Sequence, residues 1–185
     1  ATMARLQHRS LVLWRERAVL ATLATTDLPV LCIPSPTVLM GLSWSTARVA
    51  LYPANVGNNI HLLREPTMMS AFIGHGDSDK NASFNPFAKV YDEIWVAGEA
   101  GADRYRKANV GVADETLVAV GRPQLDGVAA SATQRGTGIT TILYAPTWEG
   151  WDAAQQYTSI GVLDGLLASA ALVHPGRLRV IYKPH

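Results

Sequence analysis

Residues 68–80 read "MMSAFIGHGDSDK". An apolar run stops abruptly at a histidine set between Gly74 and Gly76, and Asp77, Ser78, Asp79 and Lys80 follow. An apolar run ending in small polar residues describes a strand that delivers a loop. Upstream, "ARVALYPAN" (47–55) is a second strand, closed by Pro53 and Asn55. Between the two, "NNIHLLREP" (58–66) opens with a helix-cap candidate, Asn58 or Asn59, and stops at Pro66 as a short helix does. Strand, helix and strand in this order favour a parallel sheet. The His75 turn then belongs at the carboxyl edge of that sheet, where open α/β sheets hold their ligands.

The same alternation extends in both directions. "SLVLWRERAVLATLA" (10–24) places Leu13, Glu16 and Arg17 beside apolar positions at three-to-four spacing, which predicts an early helix. "LPVLCIPS" (28–35), bounded by prolines, predicts a short buried strand. "YDEIWVAG" (91–98) is a strand ending at Gly98, and "EAGADRYRKAN" (99–109) is a helix whose later basic residues suit its C-terminal dipole. "ETLVAVGRPQLD" (115–126) adds a strand and a sharp turn at Gly121 and Pro123. The small, polar, glycine-containing stretch "DGVAASATQRGTG" (126–138) has linker character. Beyond it, "ITTILYAPTW" (139–148), a helix over about 158–173 stopped by "HPG", and "LRVIYKPH" (178–185) form a second β-α-β unit.

The expected organisation is therefore an N-terminal lobe at 1–125, a linker at 126–138 and the start of a second lobe at 139–185. Two strands leave a sheet without neighbours, so the second lobe is expected to be incomplete and the chain a piece of a longer protein.

Bulk properties narrow the classes. The 185 residues are 48% hydrophobic and 17% charged, a globular composition. Sixteen basic and 15 acidic residues leave a net charge of +1, which gives no electrostatic case for a nucleic-acid partner. The single cysteine, Cys32, has no internal disulfide partner and reads as core packing. No apolar run approaches the roughly 18 residues that a membrane-spanning helix needs.

Polar chemistry gathers after the strands. Gly74 and Gly76 permit a tight turn and close approach of a ligand, His75 can accept a proton near neutral pH, and Lys80 can meet an anion. The same residues also read as a hydrogen-bonded turn with capping aspartates, or as mixed metal ligands through His75, Asp77 and Asp79. Arg122 suits a phosphate fork or a surface ion pair. In "YAPTWEG", Thr147 and the backbone after the strand suit a phosphate, while Trp148 or Trp151 suits a base or the core. Lys183 and His185 make a cationic pair suited to a pyrophosphate, or an ordinary strand end. His8, His61 and His174 read as surface or helix-end residues.

Taken together, "FIGHGDSDK", "YDEIWVAGEAGADRY", "VGRPQLD", "ILYAPTWEGW" and "IYKPH" resemble the CDP-glycerol glycerophosphotransferase family, which includes the teichoic acid polymerases, from about Ala47 to His185. The resemblance implies a GT-B-like α/β fold: two Rossmann-like lobes with parallel sheets across a cleft, the second lobe incomplete. It implies transfer of glycerol phosphate from CDP-glycerol to a hydroxyl of a polyol phosphate or glycan acceptor, possibly lipid-linked, with release of CMP. It further implies work at the cytoplasmic face of the membrane with peripheral association, no nucleic-acid partner, no bound metal and no cofactor beyond the donor substrate.

Matched to the family's motifs, His75 and Gly76 take the place of its histidine-glycine pair, with His75 as general base, and Lys80 that of its downstream lysine. His185 falls at the second family histidine, expected near the donor phosphates, and Thr147 in the strand-end loop. Gly74, Asp77, Ser78, Arg122, Trp148 and Lys183 complete the expected substrate contacts. Teichoic acid polymerases commonly carry tryptophan before the histidine and threonine after the glycine, where this chain has Gly74 and Asp77, which leaves the acceptor type open. The family continues into a donor-gripping loop after its second histidine, so this stretch alone is expected to be inactive. A GT-B glycosyltransferase using a nucleotide sugar, a non-catalytic nucleotide- or polyanion-binding module and a metal-dependent hydrolase are the alternatives.

Overall fold

The computed structural model describes residues 9–18, 20–22, 25–76, 78, 83–128, 138–147, 149–150, 156 and 158–184. The chain divides into two compact units, Ala1–Gly127 and Val128–His185, and the division falls inside the stretch 126–138. Each is mixed α/β, every described strand pair is parallel, and the character is Rossmann-like in general terms.

The main sheet of the first unit contains β3 (Val49–Tyr52), β4 (Met69–Phe72), β5 (Glu93–Val96) and β6 (Leu117–Ala119), side by side in chain order. Tyr52 stands beside Phe72, Phe72 beside Ile94, and Ile94 beside Leu117, so these four side chains share one face. The order contains no reversal. Among the described strands, this sheet therefore lacks the switch point at which a doubly wound sheet opens its ligand crevice.

On that shared face, Ile94 and Val96 pack with Ala88, Ala102 and Tyr105, and Phe72, Phe84 and Leu117 border the cluster. Helix α3 (Glu99–Ala108) supplies Ala102 and Tyr105, which with Gly101 form its buried stripe at helical spacing. Asn109 ends it in the left-handed conformation, and Arg106 and Lys107 occupy its last turn, where cations favour the helix dipole. At the opposite edge of the sheet, the Asp92 carboxylate accepts from both the N–H and the hydroxyl of buried Ser70, at 2.7 and 2.8 Å.

The N-terminal region differs from expectation. In place of a helix over 10–24, Val12–Trp14 form strand β1, and Leu20–Thr22 make a single 3-10 turn. Strand β1 pairs in parallel with β2 (Val30–Cys32). Valine, leucine and tryptophan satisfy their backbone groups equally well in a ladder once a partner strand exists, and a partner 18 residues away is invisible to helical spacing. Strand β2 is also not buried: Val30 and Leu31 are 39% and 42% exposed, and Cys32 is only half-buried. A two-stranded ribbon covers its members on few sides, which removes the enclosed environment a core cysteine needs.

Two helices follow β2. In α1 (Pro36–Met40), the Ser35 hydroxyl caps the Val38 N–H at 3.3 Å, Pro36 sits in the first turn, and Leu39 is fully buried. Helix α2 (Ile60–Leu63) is a short turn continuing a 3-10 segment. Asn59 precedes it but does not cap it: its backbone is already helical at φ −62°, ψ −31°, and its side-chain Nδ2 donates to Ala54 and Tyr91 instead.

The second unit places α4 (Leu163–Val173) against the parallel pair β7 (Thr140–Tyr144) and β8 (Leu178–Tyr182). Tyr144 and Tyr182 stack at 5.7 Å beside a cavity of about 290 Å³ lined by Ile160, Leu167, Ala171 and Val180. The other sheet face carries Leu143 and Ile181, adjacent in register and exposed.

Candidate functional site

The carboxyl ends of β3 and β4 meet at His75. Chain leaving β4 is still held to β3, through the Ile73 N–H and the Tyr52 carbonyl at 2.9 Å. Gly74 then turns at φ +58°, a left-handed conformation in which a side chain is strained. This turn carries the His75 imidazole back over β3, where Nδ1 lies 3.0 Å from the Pro53 carbonyl oxygen.

That contact assigns the tautomer. A carbonyl only accepts, so Nδ1 carries the proton and the neutral ring has its lone pair on Nε2. The ring is exposed, as is Gly76, and a Cβ added at Gly76 would meet open space. A base with a fixed ring and an accessible lone pair results.

The loop that holds His75 is itself fixed from below. Asn59 Nδ2 donates to the Ala54 carbonyl at 2.7 Å and to the Tyr91 hydroxyl at 2.9 Å, and Tyr91 Oη donates to Asn55 Oδ1 at 2.8 Å. The Tyr91 ring stacks on Phe72 with centroids 5.3 Å apart. Burial pushes the Tyr91 phenol pKa up, against the opposing influence of the Asn59 hydrogen bond. Beside it, burial pushes the Tyr52 phenol well above its usual range, and the neighbouring Tyr91 and Asp92 add to the shift.

Loops after β1 and β2 reach the same region through Arg15. Its guanidinium donates to the carbonyls of Ile33 at 2.8 Å, Pro34 at 3.3 Å and Asn58 at 3.3 Å. Motif reading missed Arg15 because residues 10–24 read as a helix, and the strand that places Arg15 at a loop start is specified only by its distant partner.

The other expected residues are placed as follows. Ser78 is half-buried, and its hydroxyl lies 2.7 Å from that of Ser83. Arg122 is exposed at the end of β6 and leads into the 3-10 turn Pro123–Leu125. With β5 and β6 lying beyond β4, two strand spacings or roughly 10 Å of sheet separate the edge positions that carry His75 and Arg122. In the second unit, Thr147 is half-buried in the loop after β7, and the Lys183 N–H donates to the Tyr144 carbonyl at 2.9 Å. Thr147 and Lys183 thus share the carboxyl edge of that sheet. His61 is half-buried with Nδ1 3.0 Å from the Asn58 carbonyl, and His174 is exposed at the end of α4.

Asp77, Asp79, Lys80, Trp148, Trp151, His185 and His8 lie outside the described residues. Among the described residues, no three His, Cys, Asp or Glu side chains are grouped to hold a metal ion, and no helix is long and apolar enough to cross a membrane. No protein-family model, curated protein or solved structure matches this chain.

Proposed function

We propose that this chain carries the acceptor-activating part of a transferase that moves glycerol phosphate from CDP-glycerol to an acceptor hydroxyl, on a GT-B architecture. The observation that carries the reading is His75, an exposed residue whose Nδ1 is held by the Pro53 carbonyl, which leaves Nε2 as the basic atom of the neutral ring. In the proposed step, the acceptor oxygen attacks the β-phosphorus of the donor. Its proton passes to His75 Nε2, the bond from that phosphorus to the bridging oxygen breaks, and CMP leaves with the electron pair. Arg122 is the cation of the first unit assigned to the phosphates, where positive charge favours the charge developing on the leaving group; Lys183 and His185 are assigned the same role for the second unit. The acceptor is a polyol phosphate or glycan, presented at the cytoplasmic face of the membrane.

CMP release from CDP-glycerol tests the proposal, using the full-length natural protein with a lipid-linked polyol phosphate acceptor. Release should require the acceptor and fall about 10²- to 10⁴-fold in His75→Ala. Undiminished release in that variant overturns the base assignment. Turnover of nucleotide sugars in preference to CDP-glycerol overturns the donor assignment in favour of a glycosyltransferase.

A further inference from the structure

We infer that Arg15, just past the end of β1, forms a seat for a phosphate ester, held against the loop after β3 that also holds His75. The inference rests on the proposed phosphoryl-transfer reading only for the reaction served; the seat itself follows from charge and geometry.

Arg15 follows β1 directly, and the carbonyls it grips belong to the segments that follow β2 and β3. The guanidinium thereby ties the loop after β2 to the 3-10 turn Gly57–Asn59 that follows β3. His75, which follows β4, is anchored to the other end of the β3 loop, through Pro53 rather than Asn58. Residues 53–58, even fully extended, span less than about 18 Å. Cation and base are thus held by the two ends of one short loop.

Arg15 is half-buried, and its contacts are all neutral carbonyls. Carbonyl dipoles orient a guanidinium without cancelling its charge. Glu16, its exposed neighbour, makes no ion pair with it among the described residues, and the segments 33–35, 53–59 and 73–76 contain no acidic residue. The positive charge at this edge thus stands without a carboxylate partner among the described residues. Three of the five donors of an arginine side chain are engaged, leaving one N–H on each of Nη1 and Nη2. Two donors on one rigid plane match two oxygens of a phosphate, and a guanidinium keeps its charge at any working pH.

Arg106 provides the contrast. It also makes several bonds, but to Glu99, Asp103 and Asp114, so its charge is already matched. Only Arg15 combines fixed geometry with unmatched charge beside the His75 loop among the described residues.

The phosphate can belong to the acceptor or to the donor, and two probes free of cytidine separate these sources. Glycerol 3-phosphate stands for the acceptor end and inorganic pyrophosphate for the donor. The full 185-residue chain, ¹⁵N-labelled, is titrated with each while the Arg15 Nε–H resonance is followed, and dissociation constants are measured by calorimetry. At least one probe should shift that resonance saturably, and the probe that binds more tightly identifies the source. Arg15→Gln, which retains an amide donor for the carbonyls but no charge, should weaken that probe by about 10- to 100-fold. Arg15→Lys should recover part of the loss, and circular dichroism melts establish that each variant is folded.

Equal binding by folded Arg15→Gln overturns the seat, as does an Arg15 resonance that neither probe moves. Should both variants fail to fold, the wild-type titration alone decides. Probe binding without CMP release in the transfer assay would overturn the proposed reaction and leave the seat standing. Transfer without Arg15-dependent probe binding would do the reverse.

Discussion

The rings of Tyr52 and Tyr91 lie 5.1 Å apart, tilted by 48°, and their hydroxyls end in opposite circumstances. Tyr91 Oη joins Asn55 and Asn59 in the network beneath the His75 loop, whereas buried Tyr52 Oη has no hydrogen-bond partner among the described residues. Removing each hydroxyl should therefore have opposite effects. Tyr91→Phe leaves two asparagine groups without their partner and should destabilise the chain by about 1–3 kcal/mol. Tyr52→Phe removes a buried unpaired polar group and should be neutral or stabilising by up to about 1 kcal/mol. Urea unfolding of both variants checks this, and a large loss in Tyr52→Phe would show that its hydroxyl is bonded after all.

The same pair makes stability depend on pH on the alkaline side. Both phenols have raised pKa values, chiefly through burial. Their contribution is complete below the unfolded tyrosine value of 10.0 and is lost as the pH rises from there towards the folded values, because the unfolded chain ionises first. Each tyrosine should steepen the decline by up to about 1.4 kcal/mol per pH unit in that window. Unfolding measured between about pH 9 and 11 should decline less steeply in Tyr52→Phe than in wild type.

Arg106 joins both ends of α3 to the turn before β6. Nε donates to Asp114 at 2.5 Å, and Nη1 meets Asp103 at 2.9 Å and also Glu99. The three carboxylates push the guanidinium pKa up, with Asp114 foremost, and the Arg106 hydrogen bond holds the Asp114 carboxyl below its usual 3.8. A lowered carboxyl pKa contributes stability above the unfolded value and loses it as the pH falls towards the folded one. By carbon NMR, Asp114 should titrate below 3.8 in wild type and return towards it in Arg106→Gln. The group is exposed, so the shift should shrink in high salt; a salt-independent midpoint would count against the ion pair as its cause.

Gly74 and Gly76 flank His75 and differ in what they require. At φ +58°, Gly74→Ala should cost about 1–2 kcal/mol, although its nearest contact, the Gly76 carbonyl oxygen at 3.6 Å, is ordinary. The added Cβ of Gly76→Ala meets nothing and should change stability by less than about 0.5 kcal/mol. Relaxing the Gly74 turn should also loosen the His75 to Pro53 hydrogen bond, so the His75 Nδ1–H signal should exchange faster in Gly74→Ala alone. Equal behaviour of the two variants would remove the turn from the account of how His75 is held.

Local chemistry was sufficient for much of this chain. Apolar runs closed by glycine or proline determined β3 to β8, and the buried stripe and terminal cations determined α3, because each signal lies within the element it specifies. Ser35 and Pro36 carry a helix-start signal that the strand reading of residues 28–35 passed over, so α1 came only from the structure. His75 stood out through its two glycines. What required tertiary structure were choices between partners: Val12–Trp14 became a strand because Val30–Cys32 lies alongside, and His75 acquired its tautomer from a carbonyl 22 residues away. The carbonyls that fix Arg15 stand up to 43 residues from it. Where an element's signal lies within the element, its energy is local and the sequence determines it; where a strand needs a distant partner, or a donor a distant acceptor, the choice is made only when those segments are brought together.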